Sequence, residues 1–182
     1  MDFITGLPKS HGMSVILVVV DRFTKYAHFI ALGHPLSALA ELFMNTVVRL
    51  HGWPEEIIPD RDTIFLSTFW TGLMQSHGVK LLRSTAFHPQ IDGQTKNLNK
   101  SLEAYLRCAT RNMPKQWTNH LAMAELWYNT KFHIATQMTP FETLYGYVPT
   151  SPNLIDKGET LIEAIDYVGS SDLGIIKKGG LN

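Results

Sequence analysis

The run Ser14–Asp21, SVILVVVD, limits what this chain can fold into more than any other stretch. Its apolar core, Val15 to Val20, has no polar face at either the helical or the strand period. β-Branched side chains favour extended backbone. A strand this apolar is buried on both faces, in the middle of a sheet covered on each side. The segment Lys25–Leu32, KYAHFIAL, is a second strand candidate, and the short link before it predicts an antiparallel pair. The opening MDFI predicts a third strand.

Further along, apolar residues recur at helical spacing through Leu39, Leu42, Phe43, Val47 and Leu50, with Ser37 placed to cap and Gly52 to stop a helix. EEIIPD (Glu55–Asp60) reads as a short strand ending on an acid, STFWTGLMQSHG (Ser67–Gly78) as a helix, and VKLLRS (Val79–Ser84) as a strand. Helices are predicted in Trp117–Thr130 and Thr139–Gly146. Strands alternating with helices indicate an α/β domain with helices packed on a mixed sheet. Residues 1–149 carry these patterns. After Pro149 they weaken while Gly and Ser accumulate, so 150–182 is expected to be a weakly structured tail.

A chain of 182 residues can build one well-buried core. Sixteen Lys and Arg balance sixteen Asp and Glu, so any binding to a polyanion must come from a local patch. The single cysteine, Cys108, permits no internal disulfide, and the eight histidines have no CxxC partner. The longest apolar run falls far short of the ~20 residues of a membrane helix, and the N-terminus lacks an apolar signal core. A soluble intracellular protein without membrane partners is expected. Cys108 lies near the apolar side of its helix and is expected to be buried.

The segment His88–Arg107, HPQIDGQTKNLNKSLEAYLR, opens with the loop formers Pro89, Asp92 and Gly93 and continues as a helix. At about 100° per residue, Lys96, Lys100, Glu103, Arg107 and Arg111 share one stripe, while Leu98, Leu102, Tyr105, Leu106 and Ala109 share the opposite side. Two readings of the charged stripe stay open. It is a solvated face with a weak Glu103–Arg107 pair, or a basic ridge that meets phosphates.

Six motifs in order, MDFITGLPKS, VILVVVDRFTKYAHFI, LHGWPEEIIPDRDTIF, FHPQIDGQT, WYNTKFH and MTPFETLYG, resemble the integrase catalytic core of gypsy-type LTR retrotransposons, relatives of retroviral integrases. The resemblance covers roughly Met1 to Pro149. It implies an RNase H-like fold, a five-stranded mixed sheet flanked by helices on both sides. It also implies a polynucleotidyl transferase that trims element ends and joins them to target DNA, acting as a homodimer in the nucleus.

Such enzymes use three carboxylates to hold two Mg2+ or Mn2+ ions about 3.5–4 Å apart, which stabilise the attacking and leaving oxygens. Hard cations of this kind take oxygen ligands. Carried over, the first acid falls on Asp2 and the second on Asp60. The third, a glutamate 35 residues beyond the second, falls on Lys96. An ammonium has no lone pair to offer a metal. Lys96 is expected to reach toward one of the two aspartates and to impair catalysis.

The shortened start of the first strand, and the absence of the family's flanking zinc-binding and DNA-binding domains, suggest a degenerate or truncated copy. Asp92, Asp62 and Asp21 are the other nearby acids for the third position. Asp62 is expected to stay in its own turn, and Asp21 to be a strand-ending acid bonded to Arg22 or Thr24. Glu103 is about 10 Å along the helix from residue 96, too far to substitute.

The loop is expected to meet DNA through Gln90, Gln94 and Thr95, and the helix through Lys96, Lys100, Arg107 and Arg111. His88 is expected to make a loop hydrogen bond, Asn129 to brace structure, and Trp70, Trp117 and Trp127 to pack in the core. The alternatives to a strand-transfer enzyme are a non-catalytic DNA-binding or self-associating module, or a relic without function.

Overall fold

The apolar run forms β2 (Met13–Val20), between β1 (Asp2–Ile4) and β3 (Ala27–Gly33) and antiparallel to both. Ile16, Leu17 and Val18 are wholly inaccessible, which requires layers on both faces. The two-residue period of a strand sorts those layers. Leu17, with Ile30 and Leu32 of β3, joins a core that includes Leu39, Phe43, Trp70 and Met74. Phe29 faces the other way, its ring 5.9 Å from that of Tyr128.

The computed structural model describes residues 1–33, 39–59, 65, 67–82 and 89–149, except for the side chains of residues 89–94. Asp60, Asp62, His88, the Ser37 cap and the tail from residue 150 lie outside the described residues.

Helices α1 (Leu39–Phe43) and α2 (Arg49–His51) are joined without a break by a π-helical turn, Met44–Val48. Gly52 ends that helix at φ 78°, a backbone angle that glycine adopts without strain. β4 (Glu56–Ile57) and β5 (Lys80–Leu81) pair in parallel around α3 (Thr68–Ser76). Ser67 caps α3 as expected, accepting from the Trp70 amide. The Met1 α-ammonium donates to the Ile58 carbonyl at 3.0 Å, so the start of β1 meets the segment that follows β4. Among the described residues the antiparallel strands form a three-stranded sheet, β1–β2–β3, and the parallel pair β4–β5 a separate two-stranded one, where a single five-stranded mixed sheet was expected.

The C-terminal part is helical: α4 (Pro89–Thr110), a 3-10 segment (Pro114–His120), α5 (Leu121–Thr130) and α6 (Pro140–Tyr145). The apolar side of α4 is buried at Leu98, Leu102, Tyr105 and Leu106. Two expectations need correction here. First, α4 begins at Pro89, so the anticipated loop through Gly93 is helical. Proline at the first helical position brings a suitable φ and lacks an N–H that would be unpaired anyway. The cost of one glycine, about 1 kcal/mol, is small against the buried side of a helix of 22 residues. Second, Cys108 is exposed. It lies two positions past Leu106, about 200° around the helix, which takes it off the buried side.

β3 ends the three-stranded sheet, and α5 covers its open edge. The Ala27 amide donates to Asn129 Oδ1 at 2.9 Å, and Asn129 Nδ2 donates to the Ala27 carbonyl at 2.8 Å. The Phe29 amide donates to Glu125 Oε2 at 2.8 Å. Residues 125 and 129 are one helical turn apart and 27 and 29 share one strand edge, so the two spacings match. Asn129 braces the structure, as expected, and blunts an edge that would otherwise invite strand pairing.

Candidate active-site cleft

A cleft of about 990 Å³ opens between the start of β1, the β2–β3 turn, the end of α2, β4, the N-terminal half of α4 and the segment after α5. Asp2, Asp21, His51, Glu56, Lys96 and Lys131 are among its walls.

Asp2 is placed by the pairing of β1 on β2, where it lies opposite Val18. Its Oδ1 accepts from the Phe3 amide at 2.8 Å, and its Oδ2 accepts from Asn99 Nδ2 at 2.6 Å. Asn99 Oδ1, although buried, has no hydrogen-bond partner. Sequence reasoning missed Asn99. The available signal was its position three residues after Lys96, which puts both on one side of α4.

Lys96 is exposed and shares the cleft wall with Asp2, and no ion pair joins the two. Asn99 does reach the carboxylate, through its amide. Thr95 is half-buried on the same wall. Lys100, Glu103 and Arg107 are exposed, and no Glu103–Arg107 ion pair forms. Arg111 lies just past α4 at φ 38°. Gln90 and Gln94 belong to the first turns of α4, but their side chains, like that of Asp92, lie outside the described residues.

Asp21 behaves as the strand-ending acid that was anticipated. Its Oδ2 accepts from the Thr24 hydroxyl at 2.6 Å and the Thr24 amide at 3.0 Å. Burial pushes its pKa up, but hydrogen bonds from Thr24, Phe23 and Arg22 outweigh this and hold it below the usual value. These bonds tie the carboxylate to its own turn.

Among the described residues no three carboxylate, histidine or cysteine side chains converge as a metal site. Both oxygens of Asp2 accept from N–H donors, and residue 96 on the same wall carries a cation. The described residues by themselves therefore do not make up a two-metal centre, and Asp60 lies outside them.

No family model matches the chain. The Tf2-3 and Tf2-4 transposon polyproteins of Schizosaccharomyces pombe are each 40% identical to it over 151 residues, which is 82% of this chain. Among solved structures, the fold is similar to a chain of the simian T-cell lymphotropic virus intasome in complex with PP2A regulatory subunit B56 gamma. That match has a TM-score of 0.66 and 16% identity, and covers 84% of this chain and 58% of the other. The HTLV-2 integrase catalytic core domain in complex with magnesium matches at TM-score 0.60 and 16% identity, over 78% and 93% of the two chains. This chain is homologous to a segment of retrotransposon polyproteins and has the fold of the integrase catalytic cores.

The chain spans only 11% of the polyproteins it matches. Its fold is RNase H-like, as the motifs implied. Among the described residues no helix is long and apolar enough to cross a membrane. Trp70 and Trp117 are buried as expected, while Trp127 is half-buried against Tyr105, with centroids 5.0 Å apart and Lys131 over its ring.

Proposed function

We propose that this integrase-like core descends from a metal-dependent DNA strand-transfer enzyme and has lost that activity, or nearly all of it, at residue 96. One observation carries this reading. Lys96 stands exposed on the cleft wall that also holds Asp2, at the position the family motif reserves for glutamate. Replacing glutamate by lysine changes the local charge by two units, all of it against binding dications. Asp2 and Asp60 are the remaining candidates for Mg2+ or Mn2+ ligands, and two carboxylates beside an ammonium hold such ions poorly.

Nucleic-acid binding is the part of the ancestral function that these residues still favour. Lys96, Lys100 and Arg107 project from one side of α4 without neutralisation by Glu103. With Arg111, Thr95, Gln90 and Gln94 they form the proposed DNA contact. Phosphate recognition needs these cations and not the metal centre. Self-association as a homodimer and action in the nucleus remain parts of the same proposal.

The test is strand transfer by the chain and by Lys96→Glu, side by side, in Mg2+ and in Mn2+. Joining by the Glu variant alone supports the proposal. Activity in the unaltered chain overturns it and makes another acid the third ligand. Salt-sensitive DNA binding by both would support the retained contact, and its absence would leave a relic.

A further inference from the structure

Away from Asp2, the cleft wall holds two histidines whose ring nitrogens meet. His28 Nε2 and His51 Nε2 are 2.8 Å apart, and the rings are tilted by 44° with centroids 5.1 Å apart. On its far side, His28 Nδ1 is 3.0 Å from Glu125 Oε1. Glu125 is itself fixed, because its other oxygen accepts the Phe29 amide. A carboxylate accepts only, so Nδ1 of His28 carries a proton. Tyr26 packs edge-on against both imidazoles at 5.3 and 6.0 Å, and against Tyr145 of α6 at 5.8 Å. The histidine side chains and Glu125 thus join three elements: β3, α2 and α5.

A hydrogen bond between two ring nitrogens needs one proton and one lone pair. With both rings neutral, His28 presents the lone pair and His51 donates. With one added proton, either ring is an imidazolium that donates to the other, and the contact survives. With two added protons, both nitrogens carry hydrogen and face each other across 2.8 Å, and the contact cannot survive. We propose that the His28–His51 pair is a one-proton latch: it holds the end of α2 on β3 while it carries at most one added proton, and releases it when both rings are charged.

The groups facing the latch are Glu125 from α5, Asp21 and Tyr26 from the β2–β3 link, and Tyr145 from α6. The two acids favour the first added charge, and burial together with ring-to-ring repulsion opposes the second. His51 is held below the ordinary histidine value by burial and by His28, against an upward pull from Asp21 and Glu125. The sign follows from linkage. A histidine depressed in the fold binds fewer protons there than in the unfolded chain, so the latch weakens as pH falls below about 6.5. Tyr26 is pushed far up, by burial and by its Tyr145 hydrogen bond, and stays neutral throughout. What the latch releases is the end of α2, and with it Gly52, Trp53 and Pro54, the link that delivers the chain to β4 and then to Asp60.

The test is imidazole ¹⁵N NMR on the full chain as pH falls, joined to amide hydrogen exchange. The proposal expects the two rings to titrate as one pair in two steps more than about one pH unit apart. It also expects exchange protection over residues 49–57 to fall roughly tenfold or more at the second step. His51→Gln, which can donate to His28 but cannot take up charge, is expected to lose that acid-driven opening. Two rings that titrate independently in the unaltered chain overturn the latch, even if the variant fails to fold. Equal opening in the chain and in a folded His51→Gln overturns it as well.

Discussion

Two asparagines divide the molecule. Asn129, on α5, spends both ends of its amide on the backbone of Ala27 and is 1% exposed. Asn99, on α4, spends one end on the Asp2 carboxylate and leaves its buried oxygen without a partner. The same functional group closes a strand edge in one region and only half-serves a carboxylate in the other. A saturated contact belongs to the fold. Unmet hydrogen-bonding capacity next to a charge is the mark of a site arranged for something other than stability. The contrast also separates architecture from the cleft, because the Asn129 edge does not involve residue 96.

The largest effect expected is at that residue. Lys96→Glu should raise metal-dependent strand transfer by about 10² or more over the unaltered chain, the scale of several kcal/mol of charge stabilisation. Lys96→Gln sharpens the point. It removes the cation without supplying a carboxylate, and should stay close to inactive. Equal activity in the Gln and Glu variants would mean that the positive charge, and not the lost ligand, was the lesion. Neither change should move the melting temperature appreciably, since Lys96 is exposed.

The asparagines themselves come next. Asn129→Leu strands the amide and carbonyl of Ala27 in a buried place. At about 1–3 kcal/mol for each orphaned group, the loss should be roughly 2–6 kcal/mol, read from the shift of a urea unfolding midpoint. Asn99→Leu removes a charged hydrogen bond worth about 1.5–3 kcal/mol, and also the unpartnered oxygen that offsets part of it. Its cost should be the smaller, about 1 kcal/mol. A reversed order would break the comparison, because the site would then be the better-braced of the two regions.

The basic side of α4 should respond in binding and not in stability. Lys100→Ala and Arg107→Ala should each lower the slope of log affinity against log salt by about one, across DNA sequences of any kind. A salt slope unchanged in both variants would make the stripe a solvated face after all.

What the sequence made legible follows the range of the interactions. β2 could be read because its own side chains allow nothing else, and the buried side of α4 because Leu98, Leu102, Tyr105 and Leu106 repeat at the helical period. The Ser67 cap and the Asp21 turn are contacts within a few residues, visible as local patterns. The start of α4 was misread because Pro89 and Gly93 are punctuation in one context and tolerable in another, and packing decides between them. Asn99 with Asp2 and His28 with Glu125 join residues 97 apart in the chain. No periodicity reports such pairs. Only the motif order, which fixed where Asp2 and residue 96 should meet, brought the cleft within reach of the sequence.

The smallest effect tests whether local capping, unlike the cleft, stands apart from tertiary structure. Thr139 and Glu142 form a reciprocal capping box at the start of α6. The Thr139 hydroxyl accepts the Glu142 amide at 3.0 Å, and Glu142 Oε2 accepts the Thr139 amide at 2.9 Å. Hydrogen bonds from the Thr139 backbone and side chain hold the Glu142 carboxyl below its ordinary value of 4.5. A depressed acid stabilises the fold above its unfolded pKa, and that contribution is lost as pH falls through the lowered value. Relative to Glu142→Gln, the unaltered chain should therefore be slightly more stable near pH 6, with the difference shrinking toward pH 3. The pair is best compared by thermal melts across that range. A difference that stays constant with pH would mean that the glutamate holds α6 by packing and not by its charge.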